Sequence, residues 1–292
     1  MDGIFTNLKE RFRSGGILTQ LIYINIGVFI IARLTIIALQ LFNADENLVM
    51  DYLQLPAFPY FLLHKPWTII TYMFTHYSFL HILFNMLWLY WFGKIFLFYF
   101  NGRQLGGLYI IGGIAGALLF ILSYNIFPYF EDNVIFSSLV GASASVMAIV
   151  FAISFYQKDY AIDLLFFGRI KLLYLALFTI AIDMLTITSG NAGGHIAHIG
   201  GALTGIGFAS LIKNGKDITN SINKVIDVIV NLGKKRPKMK VTYKRPETDY
   251  EYNTRKQQET ETIDRILDKL KHSGYESLSS EEKKRLFDAS KK

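Results

Sequence analysis

The chain has 292 residues, 52% apolar and 15% aromatic, and lacks cysteine, which excludes a disulfide framework, a thiolate metal site and a cysteine nucleophile. Its net charge of +7 is confined to one end: residues 1–212 hold 10 basic and 10 acidic side chains, residues 213–292 hold 20 and 13. A basic tail beside so apolar a body points to anionic lipid headgroups and away from nucleic acid.

Residues 1–16 carry Lys9, Arg11 and Arg13 and read as a short cytoplasmic segment. Ile17–Phe42 follows, an apolar run long enough for a bilayer, which takes roughly 17–25 residues. It lacks a small-residue cleavage site, so it reads as a retained span and not a removed signal peptide. The connection Asn43–Phe79 is long and aromatic, broken by Pro56, Pro59 and Pro66, and reads as lying in the outer interface with Trp67 as an anchor. Five more runs come next: His81–Phe100, Leu105–Tyr124, Leu139–Phe155, Leu172–Thr188 and His195–Ile212. The expected architecture is all-α, a bundle of six transmembrane helices over 17–212.

Basic residues orient it. Arg103 lies between the second and third spans, and Lys158, Arg169 and Lys171 between the fourth and fifth, whereas the remaining connections carry Lys65 among five acidic side chains. The excess of positive charge on cytoplasmic loops then puts both termini in the cytoplasm, which six spans allow. Beyond the bundle, residues 213–246 hold an amphipathic helix (Ile218, Ile222, Val225, Ile226 and Ile229 on one face) and the basic linker Lys234–Pro246. Residues 247–292 read as a small cytoplasmic helical hairpin, its last helix opened by Ser279 and Glu282 in a capping-box pattern.

Polar groups inside spans cost free energy and call for a reason. In HYSFLHILFN, His81 and Asn85 stand four apart, on one helix face and about 6 Å along the axis. Ala144, Ala148 and Ala152 in the fourth span, and Gly201, Gly205 and Ala209 in the sixth, form small-residue stripes that let two helices approach closely. Both spans run the same way. If the stripes meet, Ser143 and His198 sit together at the outer end, and an imidazole there takes a serine's proton. His81, Asn85 and the Ser143 backbone N–H are the candidate oxyanion donors. Asp183 either orients His198 or is paired structurally, and His195, one turn further out behind the SGNAGG loop, reads as interfacial or gating.

Together these residues resemble the rhomboid family of intramembrane serine proteases. The resemblance rests on HYSFLHILFN (His76, His81, Asn85), on GAS at 141–143 and on AHIGGALTG at 197–205, and covers roughly Ile17 to Ile212. It implies a Ser143–His198 dyad, His81 and Asn85 at the oxyanion site, and a structural role for His76. It further implies cleavage of single-span transmembrane substrates near the outer face, without metal or cofactor. Three positions depart from the family pattern: Ala144 where a glycine follows the nucleophile, Trp67-Thr68 where a Trp-Arg pair is usual, and Met147 where an aromatic often faces the histidine. The resulting picture is a multi-pass protein of a bacterial inner membrane. Two rivals remain, an inactive relative that holds transmembrane clients and a proton-coupled transporter using the buried histidines and Asp183.

Overall fold

The computed structural model describes residues 10, 12, 14–164, 168–231 and 247–290. The basic linker and the N-terminal cluster Lys9, Arg11 and Arg13 lie outside them. The described chain divides into two units, broken between Lys234 and Lys235.

The first unit opens with α1 (Ile17–Leu41). The long connection then folds into three short helices, α2 (Asn47–Leu53), α3 (Pro59–His64) and α4 (Thr68–Thr71), and a 3-10 turn at Tyr72–Phe74. The bundle continues with α5 (Phe79–Tyr99), α6 (Gly102–Ile126), α7 (Ser143–Tyr156), α8 (Leu172–Leu185) and α9 (Ala192–Lys213). Among the described residues α1, α5, α6 and α9 are long and apolar enough to cross a membrane, while α7 and α8 have 14 residues each. The expected fourth span loses its first four residues to another use. Ser138–Leu139 (β2) pairs antiparallel with Leu55–Pro56 (β1), and the helix begins only after the turn at Gly141. A second antiparallel pair, Ala161–Leu164 (β3) with Gly168–Lys171 (β4), joins α7 to α8.

Polar side chains hold the first connection against the bundle. The Tyr72 hydroxyl donates to the Gly113 carbonyl at 2.6 Å and that of Tyr109 to the Met73 carbonyl at 2.8 Å. The Asn125 amide donates to the Ala57 carbonyl at 2.9 Å. Trp67 donates its indole N–H to the Tyr52 carbonyl and stacks on the Tyr52 ring. This segment is thus a folded collar, pinned from both ends of α6.

The centre of the bundle is built by absence of side chains. α9 packs along α7 and α6. A Cβ at Gly201 would collide with the Ala144 carbonyl, one at Gly205 with backbone of Ala148 and Ala152, and one at Gly200 with the Ala115 carbonyl. Ala144, Ala148 and Ala152 are buried to within 1%. The two stripes do face each other. Close backbone approach gains dispersion contacts that lipid cannot supply in their place.

After α9 the chain turns at Gly215, with φ +74, into α10 (Thr219–Asn231). This helix meets α6 through its polar side: the Asn223 amide donates to the Arg103 carbonyl at 3.1 Å, Arg103 pairs with Asp227 at 2.6 Å, and Gln104 donates to Asp217. Val225, Val228, Ile229 and Val230 point outward and are exposed. The second unit holds α11 (Asp249–Ser273) and α12 (Ser280–Ala289), both opened by capping boxes, at Thr248/Glu251 and Ser279/Glu282. Lys269 and Glu282 pair between them at 2.9 Å.

Candidate active site

Ser143 is the first residue of α7, so its backbone N–H has no acceptor within the helix and lies at the positive end of the helix dipole. The turn before it is fixed by two hydrogen bonds: Gly141 N–H donates to the Tyr72 carbonyl at 2.9 Å, and Ala142 N–H reaches Nε2 of His76 at 3.5 Å. Gly141 adopts φ +118, a region that side chains rarely enter, and its missing Cβ would stand 2.7 Å from Nε2 of His81. Only glycine meets both conditions.

His76 and His81 rings meet edge to face, 5.0 Å between centroids. His76 is almost wholly buried, 3% exposed. Burial first, and the neighbouring His81 second, push its pKa down to about 4. It therefore stands neutral beneath the serine turn, as an acceptor for the Ala142 N–H.

A cavity of about 290 Å³ opens at the serine, lined by Phe84, Asn85, Trp88, Ser143, Val146, Met147, Thr179, Ile182, Asp183 and His198. Helices α5, α7, α8 and α9 all contribute. Four expected positions thus converge on it: Ser143, His198, Asn85 and, with an orienting or structural role left open, Asp183. Ser143 and His198 share the cavity without a hydrogen bond between them. The Asn85 amide donates to the His81 carbonyl at 2.8 Å, which leaves its second N–H for another acceptor. His81 brings its ring against Gly141 and His76.

Asp183 is where spacing along the chain carried least information. From α8 its Oδ1 lies 3.0 Å from Nδ1 of His198 and 2.7 Å from Nδ1 of His195. A carboxylate accepting from Nδ1–H fixes the tautomer of the imidazole, leaving Nε2 as a lone pair. His195 is tied to the same carboxylate and to Thr186, whose hydroxyl lies 3.4 Å away, rather than standing loose at the rim. Phe84, Trp88, Val146, Thr179 and Ile182 in the cavity wall were not singled out from the sequence. Trp88 stands one turn beyond Asn85, and Thr179 one turn before Asp183, so helical spacing from either polar residue points to them.

Comparison with known proteins is consistent with this geometry. The Rhomboid domain family matches residues 63–214. A family of unknown function, DUF6576, matches residues 247–292. The protein named RHOMBOID-like protein 12, mitochondrial, of Arabidopsis thaliana is 28% identical over 205 residues, covering 67% of this chain and 58% of that protein. The chain therefore aligns with somewhat over half the length of that relative.

Proposed function

The chain belongs to the rhomboid family and is an integral membrane protein, and from that premise we propose that it is an intramembrane serine endopeptidase. The observation that supports this best is the meeting of Ser143 and His198 in one cavity, with Asp183 behind the histidine. In the proposed reaction Nε2 of His198 takes the Ser143 proton as Oγ attacks a peptide carbonyl, and the same proton then passes to the leaving amine. Asp183 holds the imidazole in the tautomer this requires. The Ser143 N–H at the start of α7 and the second N–H of Asn85 meet the developing oxyanion. His81, beside Gly141 in the turn before the serine, is the further donor proposed for that charge.

The shorter α7 and α8 complete six spans in this reading, α7 enclosed by its neighbours and α8 at the edge with most of its large apolar side chains exposed. Basic connections put both termini and the 247–292 unit in the cytoplasm, the exposed apolar face of α10 on the inner leaflet beside anionic headgroups, and the active site toward the outer face. Substrates are single-span proteins of a bacterial inner membrane, admitted to the apolar cavity wall, and no cofactor takes part.

The test is cleavage of a single-span substrate by purified protein, together with fluorophosphonate labelling of Ser143. Wild type should cleave and label, while Ser143→Ala and His198→Ala should do neither. Labelling that survives in His198→Ala rejects the dyad. A folded wild type that binds the substrate without cutting it selects the client-holding alternative.

A further inference from the structure

Two imidazoles converging on one carboxylate oxygen are more than the orientation of a single base requires. His195 and His198 stand three apart on α9, one helical turn, and Asp183 reaches them from α8. The three donor atoms lie within 4.8 Å of one another. Zinc takes nitrogen and oxygen donors at about 2.0–2.2 Å in a tetrahedron, which sets its donors roughly 3.3 Å apart. The separations of 2.7 and 3.0 Å from Asp183 to the two nitrogens are close to that spacing, while the widest separation in the group, up to 4.8 Å, has to close by side-chain rotation for one ion to reach all three donors. The imidazoles retain 16% and 20% side-chain exposure, and Ser189–Asn191 immediately before α9 are exposed, so an aqueous ion has an approach. A tetrahedral ion held by three side chains would take water as its fourth ligand.

We propose that Asp183, His195 and His198 form an inhibitory site for a divalent transition-metal ion of the zinc class. The regulatory part rests on the protease reading given above. The metal-binding part does not.

The inhibition follows from proton positions. Without metal, Asp183 accepts the His198 Nδ1–H and Nε2 holds a lone pair directed to the serine. An ion on Nδ1 must take that nitrogen's lone pair, so the single proton of the neutral imidazole moves to Nε2. A nitrogen already bearing a proton accepts none from Ser143. The ion thus switches the tautomer, and no movement of a helix is needed. His195 undergoes the same exchange, but it does not line the serine cavity, so its part is affinity alone.

Binding is measured first on tag-free Ser143→Ala protein, where no proteolysis intrudes, by titration calorimetry with zinc chloride and by visible absorption with cobalt(II). One ion per chain should bind, with the cobalt spectrum of a four-coordinate nitrogen and oxygen site. Adding Asp183→Asn or His195→Gln to that protein should each weaken affinity about 10-fold or more, since each removes a ligand. His272→Gln in the second unit should leave it unchanged. Zinc should then inhibit wild-type cleavage at the concentration that half-fills the site, with recovery on chelation. His195→Gln, referred to its own metal-free rate, should need about 10-fold more zinc for half inhibition. No saturable binding, or binding indifferent to both Asp183→Asn and His195→Gln, overturns the site. Binding that leaves the wild-type rate unchanged overturns the tautomer switch. Binding as described by a protein that never cleaves substrate retains the site and rejects the protease reading.

Discussion

Beneath the serine turn a single imidazole makes the active-site backbone depend on pH. His76 accepts from the Ala142 N–H only while neutral, and burial holds its pKa down to about 4 against an ordinary 6.5. Between those values the unfolded chain binds a proton that the folded chain refuses, so stability rises with pH across this window and is lost as pH falls from 6.5 toward 4. The full difference is worth roughly 3 kcal/mol at about 1.4 kcal/mol per unit. Thermal unfolding in detergent should therefore show a midpoint that drops between pH 6.5 and 4. His76→Gln, which keeps an acceptor but cannot titrate, should flatten that slope. An equal slope in both proteins would place the acid sensitivity elsewhere. If His198 is the base as proposed, Asp183→Asn should lower kcat with little change in KM, costing part of the roughly 10²–10⁴-fold that general-base catalysis supplies. The candidate site was unevenly legible. GAS and AHIGG mark Ser143 and His198 because each stands in a small-residue stripe. Asp183 lies 15 residues before its partner in an otherwise apolar helix, and only the packing of α8 against α9 brings them together.

At the scale of elements, small-residue spacing was the most informative feature of the sequence, since it fixes which faces of α7 and α9 meet. Gly201 touches backbone on the facing helix, so a larger residue cannot be accommodated by a side-chain rotation. Gly201→Val should cost at least the roughly 1–3 kcal/mol typical of overpacking and abolish fluorophosphonate labelling of Ser143. Gly207, on the same helix with nothing within 4 Å, is the control, and Gly207→Ala should change neither stability nor labelling. A labelled, stable Gly201→Val would mean the helices separate without consequence for the site. Where the reading fell short, pairing between distant segments was responsible. Leu55–Pro56 bonds to Ser138–Leu139 across more than 80 residues, which shortens the expected fourth span. Two residues on each side are too few to leave an alternating pattern in the sequence. The strands Ala161–Leu164 and Gly168–Lys171 have four residues each, still too few to leave a clear alternation.

For the whole molecule the instructive boundary is the one after α10, not the one after the last span. Composition changes at Ile212, and truncation there looks harmless because no candidate catalytic group lies beyond it. The structure instead gives α10 a place in the first unit: Thr219 and Asn223 are buried against α6, where a Cβ at Gly107 would stand 2.7 Å from the Thr219 side chain. The Asn223 hydrogen bond is worth about 1 kcal/mol, while the exposed Arg103–Asp227 pair, screened by water, adds little. In the proposed placement on the inner leaflet, the outward row Val225, Val228, Ile229 and Val230 adds more in a bilayer than in water, because lipid would cover it. Two truncations should therefore differ. Ending the chain after Asn231 removes the linker and the second unit while retaining every residue of the cavity, so Ser143 labelling and cleavage should persist at about the wild-type melting midpoint. Ending it after Lys213 also strips α10 from α6. At about 2–4 °C per kcal/mol for a unit of this size, its midpoint should fall by several degrees, and by more in liposomes than in detergent. Equal midpoints for the two truncants would show that α10 is held by neither α6 nor lipid. Loss of labelling in the longer truncant while it remains folded would make the second unit part of the active enzyme.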